Sequence, residues 1–420
     1  MERYYIPIPV KGIIIGSKPD FDLYVKNKEF YTLYLKANSG FSKENVLILV
    51  AANINDLYVK REDIAAYERY RQRILAGLPG KTGMLNFEGR YVDPMELERY
   101  YNVMDNYIPV NRDVFIKDVQ SDFPLFYRVV NYVVPISDLK KPQEGPPSSP
   151  ETANLPGREL MIRKEDLRRY RRLVGSMWTA VDEPGGGNNR RGERKALLLK
   201  ELSKVVLKDF LDDPISSENL ENLHAISKLI VKFVLKNDEV FYSLLSEPTR
   251  DFYTYVHSTN VSVLAVGLGL GIGLSRNPDL ELLALGGLLH DIGKCQVDFR
   301  IVNKPGKLSL PEFLKIKCHV RYGLELLTEH HHLPEKVLTM VAQHHERLSG
   351  NGYPLGLKDN QISQCGRIAA IADTFDILTT NRTFKEALPT FEALNVLSKS
   401  KYDFDQKLLL AFTNLLGSRQ

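Results

Sequence analysis

The sequence is poor in cysteine, in net charge and in long apolar runs, and each shortage excludes a class of protein. Three cysteines among 420 residues are too few for a disulfide scaffold and fit a reducing compartment. The 56 basic and 52 acidic residues nearly cancel, so no charge excess indicates binding to a nucleic acid polymer. The longest apolar run, Val261 to Leu274, has about 14 residues, whereas a membrane-spanning helix needs about 20. With an N-terminus that lacks a signal-peptide pattern, these shortages predict a cytoplasmic protein with no membrane span.

An internal repeat organises the N-terminal part of the chain. Tyr5-Ile6-Pro7 matches Tyr107-Ile108-Pro109 at an offset of 102 residues, and "LYVKREDIAAYERY" at Leu57 echoes "LMIRKEDLRRYRRL" at Leu160 at an offset of 103. Alternating runs such as "FDLYV" predict strands, and the acidic residues within each "KRED" or "RKED" predict the start of a closing helix. We therefore predict a duplicated α/β module, with copies at residues 1–103 and 104–181.

A change of composition separates this module from the rest of the chain. "DEPGGGNNRRGER", from Asp182, reads as a linker, and apolar residues three and four apart in residues 195–246 predict amphipathic helices. We assign residues 182–248 to this linker and stalk. Its helices either pack on the next domain or pair between two chains as a dimerisation stalk, and the pattern does not choose between these. Residues 249–420 read as helix with short breaks, so we predict an all-α domain there.

Histidine is also scarce, with nine residues, and most of them lie between His257 and His345. Imidazole and carboxylate groups together suit first-row divalent metals, and because few thiols take part, a structural zinc site of the cysteine type is not expected. A carboxylate can bridge two ions, and two bound metals would clamp a phosphate and activate water for in-line attack. His330-His331-His332 precede a proline without carboxylates nearby, so we predict that they form a surface loop. The residues that group in the helical domain are His257, His290, Asp291, His319, His344, His345 and Asp373.

Six motifs in order carry a resemblance to a known family. They are "TYVHS" at Thr254, "LLHDIGK" at Leu288, "NKPGKL" at Asn303, "CHVRYG" at Cys318, "HHERLSGNGYP" at His344 and "IADTFDILTTNRTFKEAL" at Ile371. Residues of about 249–415 thereby resemble the HD-GYP branch of the HD phosphohydrolase superfamily. The resemblance implies a helical core with a binuclear or trinuclear centre of iron or manganese. It also implies hydrolysis of the bacterial messenger cyclic di-GMP to linear pGpG, and often on to GMP.

The resemblance also assigns roles to individual residues. It implies that His257, His290, Asp291, His319, His344, His345 and Asp373 are metal ligands, with Asp291 as the bridging carboxylate. Lys294, three residues after Asp291, would neutralise charge or protonate the leaving oxygen. Gly352, Tyr353 and Pro354 would shape the substrate loop, and Arg382 and Lys385 would contact phosphate or guanine.

Two departures from the family pattern bear on the site. Members with a third metal carry a glutamate four residues before the first ligand histidine, where this chain has Tyr253, so we expect two metal ions. Ser349 stands where most members have aspartate, which would either loosen the loop or weaken the orientation of a neighbour. Because every ligand position is filled, we predict an active enzyme.

Two other functions stay open at this stage. The same metals could hydrolyse another nucleotide, such as a hybrid cyclic dinucleotide. A catalytically weak receptor or scaffold for cyclic di-GMP could instead act through the stalk and the N-terminal repeats. We expect the N-terminal module to be regulatory or to bind a protein partner, and the amphipathic stalk is compatible with a homodimer.

Overall fold

The structure is a computed structural model of the chain, and it divides the chain into two compact units, Met1–Asp166 and Leu167–Gln420. Each unit is considered by itself. The described residues are 4–9, 13, 17–27, 30–42, 45, 49, 54, 56–76, 84–85, 91–92, 94–115, 121–129, 132–136, 159–181, 188–235, 245, 253–304, 308–380 and 387–417.

The first unit contains two four-stranded antiparallel sheets. The strand order is β1-β4-β2-β3 in the first sheet and β7-β10-β8-β9 in the second. Strands β5 and β6 form a small separate ladder. The strands are β1 Tyr5–Pro9, β2 Leu23–Asn27, β3 Phe30–Leu35, β4 Asp56–Lys60, β5 Met84–Leu85, β6 Tyr91–Val92, β7 Tyr107–Val110, β8 Phe126–Val129, β9 Tyr132–Pro135 and β10 Glu159–Arg163. The helices are α1 Ile64–Ala76 and α2 Pro94–Asn106.

The two large sheets share their strand order and the pairing of their first and last strands. Pro7 lies opposite Tyr58 in the first sheet, and Pro109 lies opposite Met161 in the second. These two pairs are related by the offsets of 102 and 103 residues that the repeated motifs show. Along β4 the buried Leu57 and Val59 alternate with Tyr58, as expected for a strand with one face on a core.

The second unit is helical. Its helices are α3 Leu167–Ala180, α4 Asn188–Asp212, α5 Ser217–Val234, α6 Tyr253–Gly271, α7 Asn277–Leu289, α8 Phe299–Val302, α9 Leu310–Lys317, α10 His319–His330, α11 Glu335–Gln343, α12 Gln364–Thr379, α13 Thr390–Lys399 and α14 Gln406–Gly417. A 3₁₀ helix at Ile292–Gln296 follows α7. The predicted fold class, a β-containing N-terminal region followed by a helical domain, is thus confirmed at this level.

The amphipathic helices α4 and α5 pack on the helical domain itself. Phe210 of α4 and Ile230 of α5 are fully buried in the same apolar core as Leu264 of α6 and Leu288 of α7. Of the two arrangements that the sequence leaves open, packing on the neighbouring domain is therefore the one that the structure contains.

The structure bears on the predicted surface loop at His330-His331-His332 and on the expected absence of a membrane span. His331 does lie in the loop after α10, but it is buried and its Nε2 donates to the carbonyl oxygen of Pro214 at 2.7 Å. The prediction of a surface loop is therefore wrong for His331, because a tertiary contact replaces its hydration. The exposed His332 does lie in the loop, whereas His330 is exposed but is the last residue of α10. Among the described helices, none has the length and hydropathy that crossing a membrane requires.

Candidate metal centre

Three histidines of the helical domain lie at helix ends, and the same kind of local hydrogen bond orients each of them. The last carbonyl groups of a helix have no partner within it, and in each case the histidine Nδ1 donates to the carbonyl oxygen three residues earlier. A carbonyl can only accept, so Nδ1 carries the proton and the neutral ring directs the Nε2 lone pair away from the helix. The three bonds join His290 to Gly287 at 2.7 Å, His319 to Ile316 at 2.6 Å and His344 to Val341 at 2.9 Å.

His257 lies within α6, and its ring is oriented by a side chain instead. Its Nδ1 lies 2.7 Å from Oδ2 of Asp376 on α12, a residue 119 positions further along the chain. Asn260 donates to the other oxygen of Asp376 at 2.7 Å, and Thr380 donates to the same oxygen at 3.2 Å. Asp376 therefore fixes the ring of His257 in the way that carboxylates orient metal-binding histidines.

The imidazole nitrogens converge in two groups. His257 Nε2 lies 3.1 Å from His290 Nε2 and 3.1 Å from Asp373 Oδ1. On the other side, His319 Nε2 lies 3.2 Å from His344 Nε2. His345 is adjacent, with its Nδ1 3.6 Å from Asp373 Oδ2. The centre thus has two halves: the first half is His257 with His290, and the second half is His319, His344 and His345.

Asp291 joins the two halves through its two oxygens. Oδ2 lies 3.3 Å from His290 Nε2, and Oδ1 lies 3.2 Å from His319 Nε2. Two sets of residues have ligand atoms within 4.8 Å of one another, and Asp291 is the member that both sets share. These sets are His257, His290 and Asp291 on one side, and Asp291, His319, His344 and His345 on the other.

The polar groups of this cluster do not fully satisfy one another, and bound cations would satisfy them better. Two neutral imidazoles that face each other through Nε2 lone pairs repel unless a proton or a metal ion lies between them. Oδ1 of Asp291 and Oδ2 of Asp373 are buried, and within the described part of the chain neither makes a hydrogen bond. Buried acceptors without donors cost free energy, and divalent cations would satisfy all of them at once.

The pKa shifts in the cluster point the same way. Burial favours the neutral form, yet the nearby Lys294 and His290 hold the pKa of Asp291 well below its usual range. Burial also opposes ionisation of Asp373, but the nearby His257 keeps the pKa of that carboxyl low. Burial lowers the pKa of His345 to about 3, aided by its neighbour His319. Ionised carboxylates and neutral imidazoles are the protonation states that metal binding requires.

In the protein alone, a proton on His257 can take the place of a metal cation. Burial by itself would lower its pKa, but the carboxylates of Asp373 and Asp376 outweigh burial and raise it. The ring of His257, with Nε2 facing Asp373 and Nδ1 facing Asp376, therefore favours positive charge, which either a proton or a metal ion can supply.

Lys294 stands at the open side of the cluster. It lies in the 3₁₀ helix that follows Asp291, and its Nζ donates to Oδ2 of Asp291 at 2.5 Å. The side chain of Lys294 is 20% exposed, whereas that of Asp291 is 2% exposed. The ammonium therefore lies between the buried carboxylate and solvent, where it can meet an anionic ligand.

The loop after His345 is anchored by a buried carboxylate. Glu346 accepts the backbone N–H of Leu355 at 2.7 Å and that of Leu357 at 2.9 Å. Gly352 packs so tightly that a Cβ would lie 2.5 Å from the backbone of Glu346. These contacts hold the loop in place, and the ring of its Tyr353 stacks on His345, with 4.5 Å between the ring centroids.

Ser349 has a specific partner in this loop. Its hydroxyl donates to Oδ1 of Asp403 at 2.5 Å, and the N–H of Leu348 donates to the carbonyl oxygen of Asp403 at 3.0 Å. Serine at this position therefore does not leave the loop without support, because Asp403 supplies the carboxylate from another segment.

The structure thus places the predicted ligands side by side and leaves two predicted contacts untested. All seven residues that group in the sequence lie in the cluster, and Tyr353 lies against it. Arg382 and Lys385 fall outside the described residues. Sequence reasoning missed Asp376 and Glu346; the only signal for Asp376 was its position one helical turn after Asp373, and Glu346 gave none.

Part of the chain matches a known protein family. Residues 243–408 match the model of the HD domain family. The chain is 34% identical to a cyclic di-GMP phosphodiesterase of Pseudomonas aeruginosa over 226 residues, which are 53% of this chain and 54% of that protein. This match confirms the resemblance that the motifs indicate.

Two further proteins resemble this chain, one in sequence and one in fold. A 3'3'-cGAMP-specific phosphodiesterase of Vibrio cholerae is 36% identical over 149 residues, 35% of this chain and 32% of that protein. The chain therefore spans about half or less of the curated relatives named here. A solved structure, an HDG"Y"P protein from Bdellovibrio bacteriovorus, has a TM-score of 0.50 at 17% identity. It covers 98% of this chain and 99% of its own, and it shows a shared fold.

Proposed function

We propose that this protein is a metal-dependent phosphodiesterase that hydrolyses cyclic di-GMP to pGpG, GMP or both. The observation that carries the proposal is the position of Asp291, whose two oxygens face two separate groups of histidine nitrogens. A shared carboxylate between two nitrogen-rich groups is the arrangement that holds a pair of divalent ions.

In this proposal Asp291 would be shared by two ions. His257 and His290 would hold one ion, His319, His344 and His345 would hold the other, and Asp373 is close to His257 and His345. Nitrogen and oxygen donors without thiolate suit first-row divalent metals, and the family resemblance implies iron or manganese among them. When bound, the ions supply positive charge for the phosphate oxygens and lower the pKa of water.

The protein's own residues then position and neutralise the substrate. Lys294, which pairs with Asp291, would bind the scissile phosphate and donate a proton to the leaving 3′ oxygen. Glu346 would keep Gly352, Tyr353 and Pro354 at the mouth of the centre by holding the loop backbone. We retain Arg382 and Lys385 as phosphate or guanine contacts on the strength of the family resemblance.

Two alternatives have separate grounds. The Vibrio cholerae relative acts on 3'3'-cGAMP, so a hybrid cyclic dinucleotide is a second candidate substrate. A receptor that binds cyclic di-GMP without turnover is the other, and the complete set of buried ligands argues against it.

For the N-terminal unit we propose a duplicated module that regulates the enzyme or binds a protein partner. The common strand order of the two sheets and their matched registers support duplication. A cytoplasmic location and a homodimer remain parts of this proposal. The first rests on the three free cysteines, whereas the second has no support from α4 and α5, whose apolar residues pack in the core of their own domain.

The test combines metal analysis with product analysis on the full-length chain. Purified protein is analysed for bound metals, reconstituted with ferrous iron or manganese without oxygen, and incubated with cyclic di-GMP or 3'3'-cGAMP. We expect metal-dependent formation of pGpG or GMP, seen by chromatography. Tight binding of cyclic di-GMP with no product under either metal would favour the receptor. Full turnover by His290→Ala would contradict the ligand assignment.

A further inference from the structure

A second lysine stands near the metal centre, beside two aromatic rings. Lys317 ends helix α9, two residues before His319, and its Nζ lies 4.6 Å from the ring centroid of Tyr353. The same Nζ lies 5.0 Å from the ring centroid of Phe313, one helical turn earlier. Because Tyr353 also stacks on His345, these contacts connect Lys317 and Phe313 to the second half of the metal centre.

Lys317 has no acidic partner among the residues that the structure describes. Within the described part of the chain it forms no ion pair, whereas Lys304 pairs with Glu312 and Lys336 with Asp279 at 2.7 and 2.6 Å. An aromatic face attracts an ammonium but does not use up its three N–H donors. Lys317 is therefore oriented by the rings and keeps donors for an anion.

Phe313 is exposed in a helix that has no core role. None of the residues of α9 is buried, and the ring of Phe313 is 42% exposed. The helix is held instead by a capping box between Ser309 and Glu312, and by Lys304 bound to Glu312. An exposed ring on a well-anchored helix beside a lysine can stack on a planar base, since base stacking on aromatic side chains needs no specific hydrogen bond.

We propose that Phe313, Lys317 and Tyr353 form an outer subsite that binds the second nucleotide of a cyclic dinucleotide. The inference rests on the proposed function, which places one phosphodiester at the metals and Lys294. A cyclic dinucleotide also carries a second phosphodiester and a second base. While the first phosphodiester lies at the metals, neither of these can lie there. Lys317, held over the ring of Tyr353, supplies the positive charge for that phosphate, and the exposed ring of Phe313 supplies a stacking surface for the base.

The experiment compares a large and a small diester on the same variants. Cyclic di-GMP fills both subsites, whereas bis(p-nitrophenyl) phosphate has no second nucleotide and tests the metal centre alone. The variants are Lys317→Ala, Lys317→Arg and Phe313→Ala. Lys315→Ala, an exposed lysine of the same helix outside the subsite, is the matched control. Steady-state kinetics, bound metal and the Kd of cyclic di-GMP, measured by calorimetry with the metal-free protein, are the readouts.

We expect Lys317→Ala to lower kcat/KM for cyclic di-GMP by about 10- to 100-fold, mainly through KM, because a charged contact to bound substrate is lost. Phe313→Ala should lower it by about tenfold, as expected for one stacked base. Lys317→Arg should restore most of the loss. Hydrolysis of the small diester and the metal content should stay at wild-type values, and Lys315→Ala should change neither activity.

Two results would overturn the outer subsite. One is unchanged kcat/KM and Kd for cyclic di-GMP in Lys317→Ala and Phe313→Ala. The other is an equal loss for both diesters together with a loss of metal, which would make the contact a structural support of His319. A wild-type protein that binds but cleaves neither diester would contradict the proposed function alone, since the Kd values would still decide on the subsite.

Discussion

The two halves of the metal centre differ in how their histidines are oriented. In the second half, His319 and His344 each donate to a carbonyl oxygen three residues earlier, so a short stretch of chain sets the ring. In the first half, His257 depends on Asp376, 119 residues away on another helix. Local helix ends therefore set the ring orientation of His319 and His344, and also that of His290 in the first half, whereas His257 is oriented only when α6 and α12 pack together. Damage to the packing of these helices should affect the two halves unequally.

The largest effect is expected where the halves meet. Asp291→Ala removes the oxygens that face both groups of histidines, so both metal positions should be lost. We expect kcat/KM for cyclic di-GMP to fall by about 1000-fold or more, because the bound ions supply several kcal/mol of charge stabilisation. Elemental analysis should find little metal, and manganese should no longer raise the Tm as it does when it binds a folded protein. One retained equivalent of metal would contradict a bridging role.

A change at Asp376 should separate the halves. Asp376→Asn keeps the size of the side chain but removes the charge that orients His257, so the first half should weaken selectively. We expect about a 10- to 100-fold loss of metal affinity at one position, the usual effect of removing a carboxylate behind a metal-binding histidine. Titration with manganese should then show one tight and one weakened site. Equal weakening of both sites would show that the halves are not independent.

The second half can be disturbed through its backbone support. A Cβ on Gly293 would lie 1.9 Å from the carbonyl oxygen of His319, so Gly293→Ala must push the start of α10 away. We expect a loss of about 1–3 kcal/mol in the free energy of unfolding, as for other overpacked sites, measured by denaturant titration. Metal affinity should fall at the half that contains His319.

Gly175 provides the matched control for that substitution. It lies in helix α3, and nothing is within 4 Å of the position of a Cβ. Gly175→Ala should therefore raise stability by about 0.5–1 kcal/mol through helix propensity. If both alanine variants lost stability equally, the close approach of Gly293 to α10 would not be the cause.

The smallest effect is expected at the loop beyond the second half. Ser349→Ala removes the hydrogen bond to Asp403 but leaves the two backbone bonds that Glu346 accepts. We expect a loss of about 1 kcal/mol in the free energy of unfolding, and nearly unchanged metal content, because the loop remains anchored. A large loss of metal would show that Asp403 orients His345 through the loop.

The cluster itself could be predicted because the sequence is so poor in histidine. With nine histidines in 420 residues, the adjacent His290-Asp291 and His344-His345 stood out, and the motifs around them identified the family. Asp376 could not be predicted in the same way, since an aspartate on a helix is ordinarily solvent-exposed. Only the packing of α12 against α6 buries it beside His257.

Prediction from local sequence patterns also failed where a contact came from a distant segment of the chain. His331 looked like part of an exposed triplet, yet the connection between α4 and α5 supplies a carbonyl oxygen that buries it. Amphipathic periodicity predicted α4 and α5 but not their partner, because an apolar stripe is equally compatible with a domain core and with a second chain.

The sequence by itself determined the residue types and the local conformations: the helices, the repeated strands, the helix-end histidines and the glycine-rich loop. Tertiary structure decided which of these groups meet. It placed the oxygens of Asp291 between two sets of histidines, turned His257 with Asp376 and set Lys317 beside Tyr353. The physical reason is that backbone preferences and periodicity act over a few residues, whereas the metal centre is built from side chains that only packing brings together.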